Sequence, residues 1–430
     1  GVGGLNSRYM TTGAVNTSLG MYALHKNTTA NANVAIGYAS MICNTTGSNN
    51  VAVGRDTMYY SISGYQNVAM GTNTMNKHRG GVNNTGIGHS AMCSNIDCSG
   101  NTAIGSQALF YNIAHNNTAV GYGAAYANTT GIENVMIGNM AGCSIGAGSC
   151  NTAVGVNALR DPDSDTCRNV AIGNGALYNL EGNYSTWIGH FAGYANTTGD
   201  TNTVLGNVAM YSNTDGDNNI AAGHASLFSN ITGDNNTGIG VCALYTNNAA
   251  NNTAVGHHAL KSNAAGACNV AVGTCTLNAN TAHDNTAVGT YAMISNTSGL
   301  YNVAVGKDSL RSNTTGDSNV AVGHIALYKN TVGNYNTSIG QSSMYYNVSG
   351  TGNIAIGSGS MSSNCGGCYN TAVGNSALNL AKYSCCNTVV GYAGAYTNTT
   401  GGKNVVMGFN SLYYNTEGSY NTALGTIAMH

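Results

Sequence analysis

A glycine returns about every seventeen residues along the whole of this 430-residue chain. From Gly3, Gly20 and Gly37 to Gly408 and Gly425 there are 25 intervals; 20 are 17 residues long, four are 16 and one is 18. A period held over an entire chain restricts the fold to a stack of like units. Seventeen residues are too few for a two-helix unit, which needs roughly twice that period. The spacing therefore predicts an all-β parallel solenoid, a β-roll or β-helix, with about 25 coils running continuously over 1–430 as one domain.

Counting each anchor glycine as zero, position −4 is Asn in every full copy except Ser185. Position −3 is mostly Thr or Val, −2 mostly Ala, and −1 aliphatic or Met in every full copy except Ala222. Ala or Ser follows at +3, Leu or Met at +4, a frequent aromatic at +5, and Asn-Thr-Thr-Gly from +7. Asn269-Val270-Ala271-Val272-Gly273 shows the first part, and Ala124 to Gly131 the second. The β-branched residues two apart read as a strand, and Asn-Thr-Thr-Gly reads as a turn. A second short strand is expected around Ala-Leu-Tyr. The −1 column (Val154, Ile172, Ile188, Leu205) and the +4 column (Leu244, Leu260, Leu277, Met293) are expected to interdigitate as the core. Stacked Asn side chains at −4 are expected to form a hydrogen-bonded ladder. With coils ~4.8 Å apart, the stack would be a rod on the order of 120 Å long.

Composition narrows the function. Charged residues are 7% of the chain and the net charge is −2, which supplies no field for nucleic acid. No apolar run approaches the ~20 residues of a membrane helix. The single proline, Pro162, falls in the 18-residue interval, where an inserted loop accepts it. Both ends fall in mid-repeat, so the array is expected to be uncapped and part of a longer or processed protein.

The Asn-Thr-Ala-Val-Gly block resembles the repeats in the heads of trimeric autotransporter adhesins. Closer still is its likeness to the Asn-Thr-Ala-Val-Gly…Ala-Leu…Asn-Thr-Thr-Gly arrays of phage, algal-virus and bacterial fibre proteins, which are often followed by a self-cleaving chaperone domain. The resemblance covers essentially the full chain. It implies a left-handed β-roll on an extracellular or virion-surface fibre, self-associating as a filament or homo-oligomer, a trimer among them. Adhesin head repeats are nearer fourteen residues; these have a second large core column. The −2 column also holds Trp187, Met136, Val204, Val389 and Val406. A tight three-fold axis lined by it would have to fit three Trp187 rings, which argues against a trimer built on that column.

Several residue sets are candidates for chemistry. Asn27, Asn44, Asn128, Asn196, Asn230, Asn296, Asn313, Asn347 and Asn398 form a +7 column of Asn-x-Ser/Thr glycan acceptors, expected on an outward turn. Among the 13 cysteines, Cys150 with Cys167 and Cys368 with Cys385 are expected at equivalent places on adjacent coils, within disulfide reach. Cys93 with Cys98, and Cys365 with Cys386, are further candidate pairs; buried free thiols are the competing reading. His89, His190, His224, His257 and His324 follow their anchor glycines, none on adjacent coils, and read as surface polar residues. Tyr178, Tyr194, Tyr211, Phe228 and Tyr245 form an aromatic column that could grip cell-surface glycans, or simply stack coil on coil.

No nucleophile–base–acid set, cofactor motif or metal-ligand spacing stands out, so no enzyme, cofactor or metal is expected. The expected function is a structural, non-catalytic fibre shaft that assembles with other copies. An adhesin using the aromatic column is the first alternative. An ice-binding solenoid is the second, weakened because Thr and Val alternate irregularly at −3 (Thr286, Val303, Val320, Thr337).

Overall fold

A computed structural model describes residues 8–163 and 165–429. The chain is an all-β parallel solenoid, and no helix occurs among the described residues. Contacts divide it into two units, Gly1–Asp217 and Asn218–His430. The first holds strands β1 (Thr17–Leu19) to β12 (Thr203–Leu205), and each pairs in parallel with the next along the chain. The second holds β13 (Ile220–Ala222) to β25 (Thr422–Leu424), paired in the same way.

Like residues lie on like residues. Between β18 (Val303–Val305) and β19 (Val320–Val322), Val303 faces Val320, Ala304 faces Ala321 and Val305 faces Val322. The anchor glycine ends each strand because nothing else fits there. Gly306 has φ +129°, and a Cβ on it would stand 2.6 Å from the Gly323 carbonyl oxygen of the next coil. Coils of 16 residues keep the strand register by shortening the turn between the two Asn columns. Asn112 and Asn117 are five apart where Asn44 and Asn50 are six apart, yet Thr102 still faces Thr118.

The core is not the one expected from hydrophobicity. Along each strand the −2 residue points inward and the −3 and −1 residues point outward. Ala271 is fully buried while Val272 is 36% exposed; Ala304 is fully buried while Val305 is 37% exposed. The −1 column, including Ile172 and Leu205, therefore lies on the surface. The interior is built from Ala at −2, Ala, Ser or Thr at +3, and Leu or Met at +4, as in Ala304, Ser309 and Leu310. Each buried Leu or Met contributes about 1.5–3 kcal/mol of transfer free energy. In most coils a small residue on the strand accompanies a large one at +4.

No second strand forms around Ala-Leu-Tyr; those residues are turns. Positions +2 and +4 have positive φ, as at Asp308 (57°) and Leu310 (48°), which lies outside β geometry. Position +4 is Leu, Met, Ala or Gly in every coil from Gly20 onward, whereas +2 accepts Val208 and Ile325 at similar φ. This segment still bonds to both neighbours: the Asp308 N–H donates to Thr290 O (3.0 Å) and the Leu310 N–H to Ala326 O (2.9 Å).

Both Asn columns are buried and run as polar ladders through the stack. At −4, the Asn319 side chain donates to Asn302 Oδ1 (3.1 Å) and to Gly333 O (2.8 Å), and the Asn319 N–H also donates to Asn302 Oδ1 (2.9 Å). At +7, Asn330 Nδ2 donates to Asn313 Oδ1 (2.8 Å) and to Gly333 O (3.0 Å). The amides thus satisfy turn carbonyls that have no strand partner.

The −2 column lies inside its own coil, so Trp187 lines no external axis. It is fully buried. The steric argument against a trimer built around that column does not apply to this fold.

Candidate functional site

The surface with the most consistent chemistry is the outward face of the strands. Each strand offers two outward side chains about 7 Å apart, and successive coils repeat them every ~4.8 Å. In the second unit the −3 column runs Ile220, Thr237, Thr253, Val270, Thr286, Val303 and onward to Thr422. Its −1 column runs Ala222, Ile239, Val255, Val272, Val288, Val305 and onward to Leu424. The first unit repeats the arrangement from Thr17 and Leu19 to Thr203 and Leu205. No strand from β1 to β25 contains a charged residue. The side chains are only partly covered: Ile239, Val270 and Ile356 are between 37% and 41% exposed. Beside this face, the +1 column supplies polar and aromatic residues such as Arg55, His89, Asn174, Lys307 and Tyr392.

Hydrophobicity alone places the −1 aliphatics in the interior and so hides this face. The usable signal lies in the −2 exceptions. Large residues there, Trp187 and Met136, coincide with glycine at +4 of the same coil, Gly193 and Gly142.

The nine glycan-acceptor asparagines do not sit on an outward turn. Asn27, Asn44, Asn128, Asn196, Asn230, Asn296, Asn313, Asn347 and Asn398 are all fully buried. Each Nδ2 points into the ladder and donates to the carbonyl three residues on, at 2.8 to 3.3 Å. A glycan on any of them would require that amide to leave the ladder. The Asn-Thr-Thr-Gly spacing places the acceptor carbonyl on the glycine.

All thirteen cysteines carry free thiols. Cys150 and Cys167 are not equivalent, because the 18-residue interval shifts them by one place. Strand register puts Thr152 beside Val170, hence Cys150 beside Arg168, and Cys167 Sγ accepts from the Ser149 N–H (3.4 Å). Cys368 and Cys385 do share one column, and Cys385 Sγ accepts from the Cys368 N–H at 3.2 Å. Cys386 lies one place further on, its N–H donating to Cys368 O (3.0 Å), whereas the Cys365 N–H donates to Lys382 O (3.0 Å). Burial raises the pKa of the Cys93 and Cys98 thiols. Desolvation and then Glu133 do the same to Cys150. These three favour the protonated, unreactive form.

The aromatic column stacks on itself. In the first unit Tyr178 and Tyr194 are 5.1 Å apart, and Tyr194 and Tyr211 are 5.5 Å apart and nearly parallel. In the second unit Phe228 and Tyr245 are 5.0 Å apart at 4°. All five are half-buried, and the ring faces that would stack on a sugar are turned to the neighbouring ring.

His89, His190, His224, His257 and His324 are exposed. One of them has company that its column alone does not show: His257 lies beside His258 and Cys275. No helix among the described residues is long and apolar enough to cross a membrane.

The chain matches no protein-family model and no curated protein sequence.

Proposed function

We propose that this protein is a structural, non-catalytic fibre component that associates with further copies of itself through the outward strand face. The observation that carries the reading is the uncharged, half-exposed double column repeated on every strand, Thr, Val or Ile at −3 and mostly Val, Ile or Leu at −1. All-parallel sheets are normally covered on both faces. Here one face packs on the coil interior and the other is bare. A contiguous apolar surface of this kind marks an interaction site. A second copy offers the same repeated columns, which carry no charge to desolvate. The low content of charged residues suits an extracellular or virion-surface filament, where neighbours shield one another. The inward position of Trp187 leaves room for two- or three-fold packing on the −3 and −1 columns.

Sedimentation of the wild-type chain against a Val288→Lys, Val305→Lys, Val322→Lys variant tests this. Multimers in the wild type and monomers in the variant, with unchanged circular dichroism, are the expected result. A wild-type chain that stays monomeric at all concentrations overturns it.

The ice-binding reading uses the same face, because Thr and aliphatic residues both point outward on it. A wild-type monomer with thermal hysteresis, lost in the same variant, would assign the face to ice.

A further inference from the structure

Two adjacent coils bring together three side chains able to ligate a metal. His257 and His258 follow Gly256, and Cys275 follows Gly273 at the place His258 holds one coil earlier. Pairing of β15 (Thr253–Val255) with β16 (Val270–Val272) fixes this register, Thr253 facing Val270. The Cys275 N–H donates to His257 O at 2.9 Å, which tethers the second coil to the first at this point. His258 and Cys275 share the left-handed backbone conformation of their column, with φ of 57° and 54°. Their side chains therefore leave the backbone alike and stack along the coil axis. The His257 ring lies over that of His258, with centroids 3.7 Å apart and planes 29° apart. The ligand atoms of all three residues lie within 4.8 Å of one another. His257 is exposed, and His258 and Cys275 are half-buried.

We propose that His257, His258 and Cys275 bind one divalent cation of the zinc class, which bridges the two coils. Two imidazoles and a thiolate are a borderline-soft donor set; magnesium and calcium take oxygen ligands, and none of the three side chains offers one. Tetrahedral zinc, at ~2.0–2.1 Å from nitrogen and ~2.3 Å from sulfur, holds its donors about 3.3–3.8 Å apart. Closing the cluster takes about 1 Å of side-chain rotation, which partly exposed residues can supply. On binding, the Cys275 thiol releases its proton to solvent and the thiolate ligates. Three protein donors leave a fourth position for water. Because each coil contacts only its neighbours, such a bridge adds a cross-link that stacking alone lacks. The site uses neither the strand face nor self-association.

The experiment titrates the reduced 430-residue chain with Co²⁺ and follows thiolate-to-metal charge-transfer absorption. Competition between Zn²⁺ and a chromophoric chelator then gives the affinity. One equivalent with a charge-transfer band is expected. Cys275→Ser and His258→Asn should each weaken binding by roughly tenfold or more, and Cys275→Ser should abolish the band. Both variants keep the fold, because Ser342 and Ser376, and Asn157 and Asn410, occupy the same place in other coils. Cys268→Ser, on the same coil as Cys275 but outside the cluster, should bind as the wild type does. No charge-transfer band in the wild type, or unchanged affinity in Cys275→Ser, overturns the proposal.

Discussion

Trp187 fills the space that a side chain on Gly193 would otherwise occupy. The indole is fully buried, and a Cβ built on Gly193 would collide with its six-membered ring. Gly193 stands at +4, where most coils carry Leu or Met, and its φ of 59° is close to theirs. Backbone conformation does not demand glycine there; the indole does. Met136 and Gly142 repeat the exchange in another coil, a Cβ on Gly142 colliding with the Met136 sulfur.

Gly193→Leu should therefore destabilise its coil by about 3 kcal/mol through overpacking. Trp187→Ala alone should cost a similar amount, about 3–5 kcal/mol, by leaving a cavity. Combining the two restores the Ala and Leu arrangement of the preceding coil, Ala171 with Leu177, and should recover most of both losses. A double-mutant cycle on chemical denaturation measures the coupling. Simple additivity would show that the two side chains do not share one space.

The inside–outside alternation of a strand makes opposite predictions for adjacent residues. Ala304→Leu places three extra heavy atoms against the +4 column and should cost about 1–3 kcal/mol. Val305→Leu adds its bulk on the surface and should change stability by no more than about 0.5 kcal/mol. Hydrogen exchange at the Val303 and Val320 amides, which donate to Asn319 O and Asn336 O, reads this coil by coil. Equal effects at the two positions would contradict the burial pattern.

Why the period was legible and the core was not follows from these residues. Register depends only on spacing, so Val272, Val305 and Val322 could be placed in one column from the sequence alone. The phase of a three-residue strand is different. Val303-Ala304-Val305 alternates equally well with either face inward, and hydrophobicity favours the two valines. Packing decides instead: the buried +4 side chain, Leu310 in this coil, takes much of the interior, and the −2 residue is small in most coils. That constraint shows in the sequence where it is broken and repaired, at Trp187 with Gly193 and at Met136 with Gly142. The +7 asparagines were misplaced for a related reason. A turn residue is normally exposed, but here the turn carbonyls face inward and need the amide. The meeting of His257, His258 and Cys275 required two neighbouring columns to be read together across two coils.

Loss of one ladder amide should be expensive. Asn319 Oδ1 accepts from the N–H of Asn336 (3.0 Å) and from its side chain (3.1 Å), besides the three bonds Asn319 donates itself. Asn319→Ala leaves buried donors unpaired, at about 1–3 kcal/mol each. Asn319→Ser should cost less. Ser185 shows why, since its hydroxyl still accepts from the Asn202 N–H at 3.0 Å. Thermal melting should rank wild type above Ser and Ser above Ala. Ala equal to Ser would mean that the acceptor role has no energetic weight.

The +7 ladder contains one titratable member, and it makes the stack sensitive to pH. His78 takes the place of Asn and brings Nε2 to 3.0 Å from Gly81 O, the bond that Asn44 makes to Gly47 O at 2.9 Å. A carbonyl only accepts, so Nε2 carries the proton and donates. Burial lowers the pKa of His78 below its ordinary 6.5; the Gly81 carbonyl, Asp97 and Asn95 pull the other way without offsetting it. As pH falls below about 6.5, the unfolded chain takes up a proton that the folded ladder resists. The unfolded state then binds more protons, and stability is lost as pH falls through the folded pKa. His78→Asn restores the column's usual residue and removes this loss. Melting temperatures at about pH 7.5 and about pH 5 should therefore differ less in the variant than in the wild type. A wild type whose melting falls no further than that of His78→Asn would show that the imidazole is not held neutral inside the ladder.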